Sequence, residues 1–310
     1  MTQAQAECGG EGAGAGGNAR VAVLQMTSGI DPLANAAVLA RAVADAAAGG
    51  AAMLFAPEMS GLIDRNRARA TPHIVAEADS PFVAAAQKAA ADAGIWVHLG
   101  SLPVLAEDGA GGKASWRNRS LVIDGAGAIR ARYDKLHLFD VDLPTGESWR
   151  ESAAYAPGDA AVVVDTPIGA LGLTICYDLR FAALFDALGA AGARVITVPA
   201  AFTVPTGAAH WHMILRTRAV DQGCFIIAPA QVGSHADGRA TYGHSLVIDP
   251  WGRVLLDMGD AAGPRGAAGL EGAARLGFAD LDFAMQDDVR ARLPVLQHRR
   301  ALPDVTRCGA

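Results

Sequence analysis

In this chain of 310 residues, the segment Leu171-Gly-Leu-Thr-Ile-Cys-Tyr-Asp-Leu-Arg180 contains a predicted β-strand followed by the most informative side chain, Cys176. The apolar first half is typical of a buried β-strand, and Cys176 follows at the boundary with a polar turn. Two other strand-like segments also end in a reactive group: Met53-Leu-Phe-Ala-Pro-Glu58 ends in a carboxylate, and Arg132-Tyr-Asp-Lys135 ends in an amine. A glutamate, a lysine and a cysteine at three strand ends are the parts of a thiol hydrolase that uses a carboxylate base in place of histidine.

Strand-like and helical segments alternate along the chain. Four stretches favour helices, at residues 31–48, 81–93, 181–191 and 208–222. Turn signals at 124–127 and 166–169, each between two apolar runs, indicate hairpins. A mixture of βα crossovers and hairpins predicts an α/β protein with a mixed sheet, or two sheets, covered by helices. We also expect the Gly/Ala-rich residues 261–274 to form a surface loop.

Composition narrows the class of protein. Apolar residues make up 51% of the chain, enough for a sizeable core, and the net charge of −6 leaves no basic face for nucleic acid. No apolar run reaches the roughly 18 residues of a membrane span, so no membrane partner is expected. The first twenty residues lack a basic start and an apolar block, which favours a flexible tail over a secretory signal. A reducing cytoplasm is then the expected location, and it suits a free thiol.

Neither the cysteines nor the histidines indicate a metal site. Four cysteines are widely separated, with no C-x-x-C pair: Cys8, Cys176, Cys224 and Cys308. Cys224 lies in an apolar run and is interpreted as a small buried hydrophobe. Four histidines show no spacing known for a metal site: His210, His212, His235 and His244. A papain-like pairing of the cysteine with His137 or His244 finds no support in either sequence context, so neither a metal nor another cofactor is expected.

Each reactive residue has a simpler interpretation beside the functional one. A thiol at a strand end is often structural, a carboxylate after a proline often caps a turn, and a lysine is usually solvated. In the functional interpretation, Glu58 takes the proton of the Cys176 thiol and later that of the hydrolytic water. Lys135 favours the thiolate and stabilises the oxyanion of a tetrahedral intermediate, with the Tyr177 backbone N–H as a second oxyanion donor.

Three motifs, in one order, resemble the nitrilase superfamily of carbon–nitrogen hydrolases: Phe55-Ala-Pro-Glu58, Tyr133-Asp-Lys-Leu-His-Leu-Phe139 and Thr174-Ile-Cys-Tyr-Asp-Leu-Arg-Phe181. The spacings add to the signal, with 77 residues from Glu58 to Lys135 and 41 from Lys135 to Cys176. The resemblance covers residues 20–299 and implies one hydrolase domain there. Residues 1–19 and 300–310 are then expected to be N-terminal and C-terminal tails.

The resemblance implies a fold, an assembly and a set of roles. The fold is a four-layer α-β-β-α sandwich of two mixed sheets covered by helices, free of metal and assembled as a homodimer or a larger homo-oligomer. Glu58 is implied as the base, Lys135 as the group that stabilises the intermediate, and Cys176 as the nucleophile. Glu151, in Glu-Ser-Ala-Ala-Tyr-Ala-Pro-Gly158, matches a second glutamate of the family that positions substrate or orients the lysine.

Further motifs resemble the amidase branch of this superfamily, the deaminated-glutathione amidases and ω-amidases: His137-Leu-Phe-Asp-Val-Asp142, Ala228-Pro-Ala-Gln231 and Thr241-Tyr-Gly-His-Ser-Leu-Val-Ile-Asp-Pro-Trp-Gly252. They imply hydrolysis of a small linear carboxylated amide through a thioester acyl-enzyme. Deaminated glutathione is the first candidate substrate, α-keto-glutaramate the second and N-carbamoyl compounds the third. Arg180 is expected to pair with the keto-acid carboxylate, or else to be a structural ion-pair partner. Residues 145–150 are expected near the substrate mouth.

A different class of function also fits this fold. A non-catalytic member of the superfamily would use the sandwich as a scaffold for binding or assembly. The sequence mark of such a member would be the loss of the glutamate, the lysine or the cysteine. All three are present in this chain, so the catalytic interpretation is favoured.

Overall fold

The structure of the protein is a computed structural model that describes residues 17–106, 115–142, 146, 148–261 and 274–308. In chain order, its strands are β1 Ala19–Gln25, β2 Met53–Phe55, β3 Trp96–His98, β4 Leu102–Ala106, β5 Ser115–Ile123, β6 Ile129–Asp134, β7 Asp140–Asp142, β8 Ser148–Arg150, β9 Val163–Thr166, β10 Gly169–Leu173, β11 Val195–Thr197, β12 Phe225–Ala228, β13 Val232–Ser234, β14 Ala240–Tyr242, β15 Leu246–Ile248, β16 Val254–Asp257 and β17 Arg275–Leu281. Its α-helices are α1 Pro32–Ala48, α2 Arg67–Ala70, α3 Pro81–Ala93, α4 Ala182–Ala190, α5 Val204–Gln222, α6 Phe283–Arg292 and α7 Val295–His298. Short 3-10 helices cover Thr71–His73, Glu77–Asp79, Glu151–Ala153 and Cys176–Arg180.

Two mixed sheets form the centre of the described structure. The first joins seven strands in the order β17-β1-β2-β3-β5-β4, with β6 pairing along β5, and the second has the order β16-β15-β12-β11-β10-β9. Parallel neighbours need crossover connections. Helices α1 and α3 provide them between β1, β2 and β3, and α4 and α5 provide them between β10, β11 and β12. Each sheet therefore carries helices on its outer face. Two short hairpins, β7–β8 and β13–β14, stand apart from these sheets.

Alternate residues of the central strands pack on opposite faces, which produces four layers. In β1, Val21 and Val23 belong to a core that also contains Leu171 and Leu173 of β10. Ala22 lies between them in sequence but belongs to a second core, which the first sheet forms with α1 and α3. The order helix, sheet, sheet, helix confirms the expected α-β-β-α sandwich.

The crossover helices begin and end at local sequence signals. The Asp31 side chain accepts a hydrogen bond from the Leu33 N–H at the start of α1, and Pro32 occupies the first turn. Ser80 caps α3 in the same manner. That helix ends at Gly94, whose φ of 68° lies in the left-handed region. These signals are why the sequence predicts the helix boundaries closely.

The predicted helices and hairpins are confirmed, with small shifts. Helix α5 begins at Val204 rather than at residue 208, because Pro205 starts its first turn. The hairpins β5–β6 and β9–β10 are antiparallel as expected. Strand β17 and helix α6 were missed. Most of the tail 1–19 and of the loop 261–274 lies outside the described residues, and no described helix has the length and apolar character needed to cross a membrane.

Gly100 and Gly94 offer a matched test of the fold near β2, the strand that precedes Glu58. Both have left-handed φ angles, of 69° and 68°. A Cβ at residue 94 meets no atom within 4 Å, whereas one at residue 100 collides with the carbonyls of Ala56 and Pro57. We expect Gly94→Ala to lower the free energy of unfolding by about 1 kcal/mol, and Gly100→Ala to lower it by about 2–4 kcal/mol more. Urea denaturation followed by circular dichroism measures both; equal losses would contradict the predicted collision.

Candidate active site

The ends of three strands bring Glu58, Lys135 and Cys176 to one place. Glu58 follows β2 and Lys135 directly follows β6, both in the first sheet, whereas Cys176 follows β10 in the second. All three residues are buried, with exposed fractions of 5%, 2% and 8%. Lys135 Nζ lies 3.0 Å from Glu58 Oε1, and the charges of both groups influence the pKa of the Cys176 thiol. The structure therefore brings together the three reactive residues that the sequence indicates.

The Glu58 carboxylate is held by hydrogen bonds to both of its oxygens. Oε1 accepts from Lys135 Nζ and from Asn118 Nδ2, each at 3.0 Å. Oε2 accepts from the Ala201 N–H at 2.9 Å. The Glu58 carbonyl accepts from Gln231 Nε2 at 2.9 Å, so the backbone is fixed as well. A carboxylate held in one orientation can take up a proton with little reorganisation of its surroundings.

A second glutamate and an asparagine complete the cluster. Glu151 Oε2 accepts from Lys135 Nζ at 2.9 Å and from the Phe139 N–H at 2.7 Å. Asn118 Nδ2 donates to Glu58 and, at 3.2 Å, to Glu151 Oε1, so it bridges the two carboxylates. No local sequence pattern indicates Asn118 as a site residue. Its position depends on the register of β5 with the chain after β6, where the Lys135 N–H donates to the Asn118 carbonyl at 3.0 Å.

Lys135 is charged because its two carboxylate neighbours outweigh the effect of burial. Burial alone lowers the pKa of a lysine. Here the negative charges of Glu151 and Glu58 more than offset it, and they hold the pKa of Lys135 well above its ordinary value. A fixed ammonium is thus available beside the thiol at neutral pH.

Cys176 occupies a strained backbone position and carries a protonated thiol. Its φ of 49° is uncommon for a residue other than glycine, and its N–H donates to the Pro199 carbonyl at 2.9 Å. Burial, together with the negative charge of Glu58, raises the pKa of the thiol well above its ordinary value, although Lys135 acts in the opposite direction. Lys135 thus acts on the thiol in the direction that the sequence analysis expected, but burial and the charge of Glu58 outweigh it. The proton has to leave the thiol during the attack itself.

Asp178 ties the turn that carries the nucleophile to the first sheet. Its side chain is fully buried, and Oδ2 accepts from the Ile175 N–H at 2.9 Å and from the Tyr133 hydroxyl at 2.6 Å. Oδ1 accepts from the His137 N–H at 3.0 Å and lies 2.7 Å from the His137 Nδ1. Sequence analysis did not single out this residue, although it stands two positions after Cys176 in the nucleophile motif.

A cavity of about 580 Å³ opens over these groups. Its volume suits a small molecule. Aromatic side chains form much of its wall: Trp116, Phe139, Trp149, Tyr155, Tyr177 and Phe202. Four arginines also line it: Arg65, Arg67, Arg150 and Arg239. Ser148, Trp149 and Arg150 come from the segment expected near the substrate mouth, and the cavity therefore offers apolar surface and positive charge around a thiol.

Residues 20–284 match the family described as carbon-nitrogen hydrolase. The chain belongs to the carbon-nitrogen hydrolase family. A deaminated glutathione amidase from Yersinia enterocolitica is 38% identical over 284 residues, which cover 91% of this chain and 93% of that protein. The solved structure of the Caenorhabditis elegans NitFhit protein has a TM-score of 0.79 and 35% identity, over 92% of this chain and 66% of that one. A mutant amidase from Nesterenkonia sp. AN1 is also similar, with a TM-score of 0.71 and 25% identity over 91% of this chain and 94% of that one. In that structure, the acetamide moiety of fluoroacetamide is covalently added at the active-site cysteine.

These similarities confirm the resemblance to the nitrilase superfamily. This carbon-nitrogen hydrolase is an amidase-type enzyme that acts on carbon–nitrogen bonds other than peptide bonds. The catalytic interpretation is therefore favoured over the scaffold alternative.

In this hydrolase, the Arg180 side chain does not line the cavity. Within the described part of the chain, Arg180 is absent from the residues that line it. Its guanidinium lies 5.9 Å from the centre of the Tyr177 ring and 5.7 Å from that of Phe202, and Nη2 is 3.3 Å from His210 Nδ1. The expectation that Arg180 binds a substrate carboxylate thus finds no support in the geometry, and the cavity offers other arginines for that role.

Cys224 is the buried hydrophobe that the sequence predicts. It has no exposed surface, and burial raises the pKa of its thiol to about 12. It therefore does not compete with Cys176, which lines the cavity.

Asp178→Asn tests whether the buried carboxylate holds the turn of the nucleophile. The carboxylate of Asp178 is surrounded by hydrogen-bond donors, and the side-chain NH₂ group of an asparagine cannot accept from them. We therefore expect the free energy of unfolding to fall by about 2–4 kcal/mol. Amide turnover should fall at least tenfold, because the backbone of Cys176 is no longer fixed. Asp165→Asn, at an exposed position of β9, is the control and should change stability by no more than about 0.5 kcal/mol. Wild-type stability and turnover in Asp178→Asn would show that Asp178 does not fix the turn.

Proposed function

We propose that this hydrolase cleaves a linear amide of a small carboxylated compound with Cys176 as nucleophile, Glu58 as base and Lys135 as electrostatic stabiliser. Deaminated glutathione is the first candidate substrate. The proposal rests on one observation above all, the direct contact of a buried ammonium with a carboxylate beside a thiol that lines the cavity. The similarity to a deaminated glutathione amidase over 91% of the chain supports the choice of substrate.

The first half of the reaction forms a thioester. The sulfur of Cys176 attacks the amide carbon while its proton passes to Glu58. The tetrahedral intermediate then collapses, the carbon–nitrogen bond breaks, and Glu58 returns the proton to the leaving nitrogen. Glu58 is suited to both transfers because its two oxygens have separate partners, Lys135 and Asn118 on one side and the Ala201 N–H on the other.

The second half of the reaction releases the acid. Glu58 takes a proton from water, the oxygen attacks the thioester carbon, and the carbon–sulfur bond breaks. The proton held by Glu58 then returns to the sulfur of Cys176, so the resting thiol is restored. In both halves the oxyanion needs donors. Lys135 Nζ and the backbone N–H of Tyr177, which follows the nucleophile in the cavity wall, are assigned to it. Glu151 orients Lys135 through its two contacts with Nζ, at 3.2 and 2.9 Å.

The arginines at the mouth of the cavity support a carboxylated substrate. Arg150 pairs with Asp142 at 2.8 Å, and Arg239 pairs with Asp237 at 2.7 Å. Arg65 and Arg67 are exposed and form no ion pair within the described residues. A guanidinium binds a carboxylate through two parallel hydrogen bonds. Deaminated glutathione has a second carboxylate at its far end, which extends outward when its amide lies at Cys176, whereas α-keto-glutaramate lacks this group.

Cys176→Ala and Glu58→Gln test the assignment of nucleophile and base. Each should lower turnover of deaminated glutathione by about 10³-fold or more, because either change removes a group that is needed in every step. The release of 2-oxoglutarate measures turnover, and circular dichroism checks the fold. Cys308→Ala, which changes an exposed thiol near the C-terminus, is the control and should retain full activity. Substantial steady-state turnover by Glu58→Gln would assign the base to another residue.

Arg67→Gln tests the role of the cavity mouth in substrate choice. The KM for deaminated glutathione should rise about two- to fivefold, the size expected for one exposed ion pair, while kcat stays unchanged. The KM for α-keto-glutaramate should not change, because this shorter compound does not reach the mouth. Arg41→Gln, at an exposed position of α1, is the control. An equal rise for both substrates would contradict the proposed site of the second carboxylate.

The same assay decides among the candidate substrates. Preference for α-keto-glutaramate, measured by ammonia release, would make the protein an ω-amidase. Cleavage of neither compound would leave N-carbamoyl compounds as the next candidates for the same three residues. Assembly as a homo-oligomer stays a prediction from the resemblance, and a cytoplasmic location stays a prediction from the N-terminal sequence.

A further inference from the structure

Two histidines and an aspartate meet outside the catalytic cavity. His212 lies on α5, His244 follows β14, and Asp257 ends β16. His212 Nε2 is 3.0 Å from Asp257 Oδ2, and His244 Nδ1 is 2.9 Å from Asp257 Oδ1. One ligand atom from each residue lies within 4.8 Å of the other two. None of these three described residues lines the cavity over Cys176, so they form a separate cluster.

The spacing of this cluster fits tetrahedral coordination of a small transition ion. Zn²⁺ bonds imidazole nitrogen and carboxylate oxygen at roughly 2.0–2.2 Å, which places neighbouring ligand atoms about 3.3 Å apart. Asp257 Oδ2 lies 3.0 Å from His212 Nε2 and 3.2 Å from His244 Nδ1, and these two separations need to open only slightly to admit the ion. The side chains of His212, His244 and Asp257 are 35%, 22% and 34% exposed, so water can reach the fourth coordination position.

The ligand atoms are held in place by contacts that involve no metal. The Tyr242 ring stacks on the His244 ring, with centroids 4.5 Å apart. Trp211 Nε1 donates to the His244 carbonyl at 2.8 Å and fixes a backbone whose φ is 54°. The Gly259 N–H donates to Asp257 Oδ1 at 2.9 Å. A prearranged set of ligands loses less freedom when it binds an ion.

A hydrogen-bonded network of the two histidines and the aspartate is the simpler account of these contacts. One imidazole is enough to satisfy a partly exposed carboxylate, yet here two rings direct a nitrogen at it. Asp257 Oδ1 already accepts a hydrogen bond from the Gly259 N–H at 2.9 Å, so the carboxylate has a backbone donor besides the two imidazoles. An anionic oxygen beside two imidazole nitrogens is a donor set suited to Zn²⁺ and similar ions.

We propose that His212, His244 and Asp257 bind Zn²⁺ or a similar divalent transition ion in a structural site. The ion links α5 to β16 and to the segment between β14 and β15. Tyr242, which holds His244, is the neighbour of Thr241 in the cavity wall. The site therefore supports one wall of the cavity without touching the substrate. This proposal does not depend on which amide the enzyme cleaves.

Zinc titration of the full-length chain tests the site directly. The protein is stripped of metal with a chelator, Cys8 and Cys308 are replaced by serine to remove terminal thiols, and ZnCl₂ is added in a calorimeter. We expect one saturable equivalent, an affinity that falls as protons compete at lower pH, and a Tm that rises with zinc concentration. His212→Gln keeps a side chain that can donate to Asp257 but removes an imidazole ligand. Its affinity for zinc should fall at least tenfold.

Asp257→Asn and His298→Gln complete the test. Asp257→Asn preserves the shape of the site while removing the anionic ligand, and it should weaken zinc binding at least tenfold. His298→Gln changes an exposed histidine at the end of α7 and should leave the affinity unchanged. Circular dichroism confirms that each variant is folded. Binding that is equally tight in His212→Gln and Asp257→Asn would place the ion elsewhere, for instance at Cys176. That result, or the absence of saturable binding in the folded protein, would overturn the proposal.

Discussion

The ion cluster of Lys135 with Glu58 and Glu151 is the constraint on which the rest of the site depends. An unpaired charge in the interior costs several kcal/mol, so each member of a buried cluster has to be compensated. Lys135 faces both carboxylates, and Asn118 bridges them. Glu58 Oε2 accepts from the Ala201 N–H at 2.9 Å, and Glu151 Oε2, which also contacts Lys135, accepts from the Phe139 N–H at 2.7 Å. Charge pairing thus fixes the ends of β2 and β6 and the chain that leads into the β7–β8 hairpin.

The same balance of charge explains the state of the nucleophile. With Cys176 protonated, one ammonium and two carboxylates leave the cluster with a single excess negative charge. Burial is the first reason why the pKa of Cys176 is raised, and the negative charge of Glu58 adds to it, despite Lys135. Loss of the thiol proton to solvent would give the cluster a second excess negative charge. Transfer of that proton to Glu58 leaves the total charge unchanged. A buried thiol can therefore act through a carboxylate partner in a site where ionisation to water is unfavourable.

Local patterns predict the residues at strand ends but not those placed by register or by the path of a turn. Glu58, Lys135 and Cys176 each follow an apolar run, which is visible in the sequence. Asn118 gains its position from the pairing of β5 with β6, and no local pattern encodes that pairing. Arg180 was expected to pair with a substrate carboxylate or to be a structural ion-pair partner, and the 3-10 helix that contains it places its guanidinium beside the rings of Tyr177 and Phe202. Alternating helices and strands predicted a mixed sheet, or two sheets, covered by helices, whereas the four-layer order was implied by the family resemblance.

The β7–β8 hairpin joins the substrate wall to the chemistry. Trp149 and Arg150 line the cavity, and the next residue, Glu151, holds Lys135. A shift of this hairpin that widens the cavity also moves Glu151, and with it the ammonium. Arg65 and Arg67 belong to a different segment, with no contact to Lys135 among the described hydrogen bonds and ion pairs. Changes at those two positions alter the charge at the mouth while the buried cluster stays in place, so substrate range can vary there independently of the reaction.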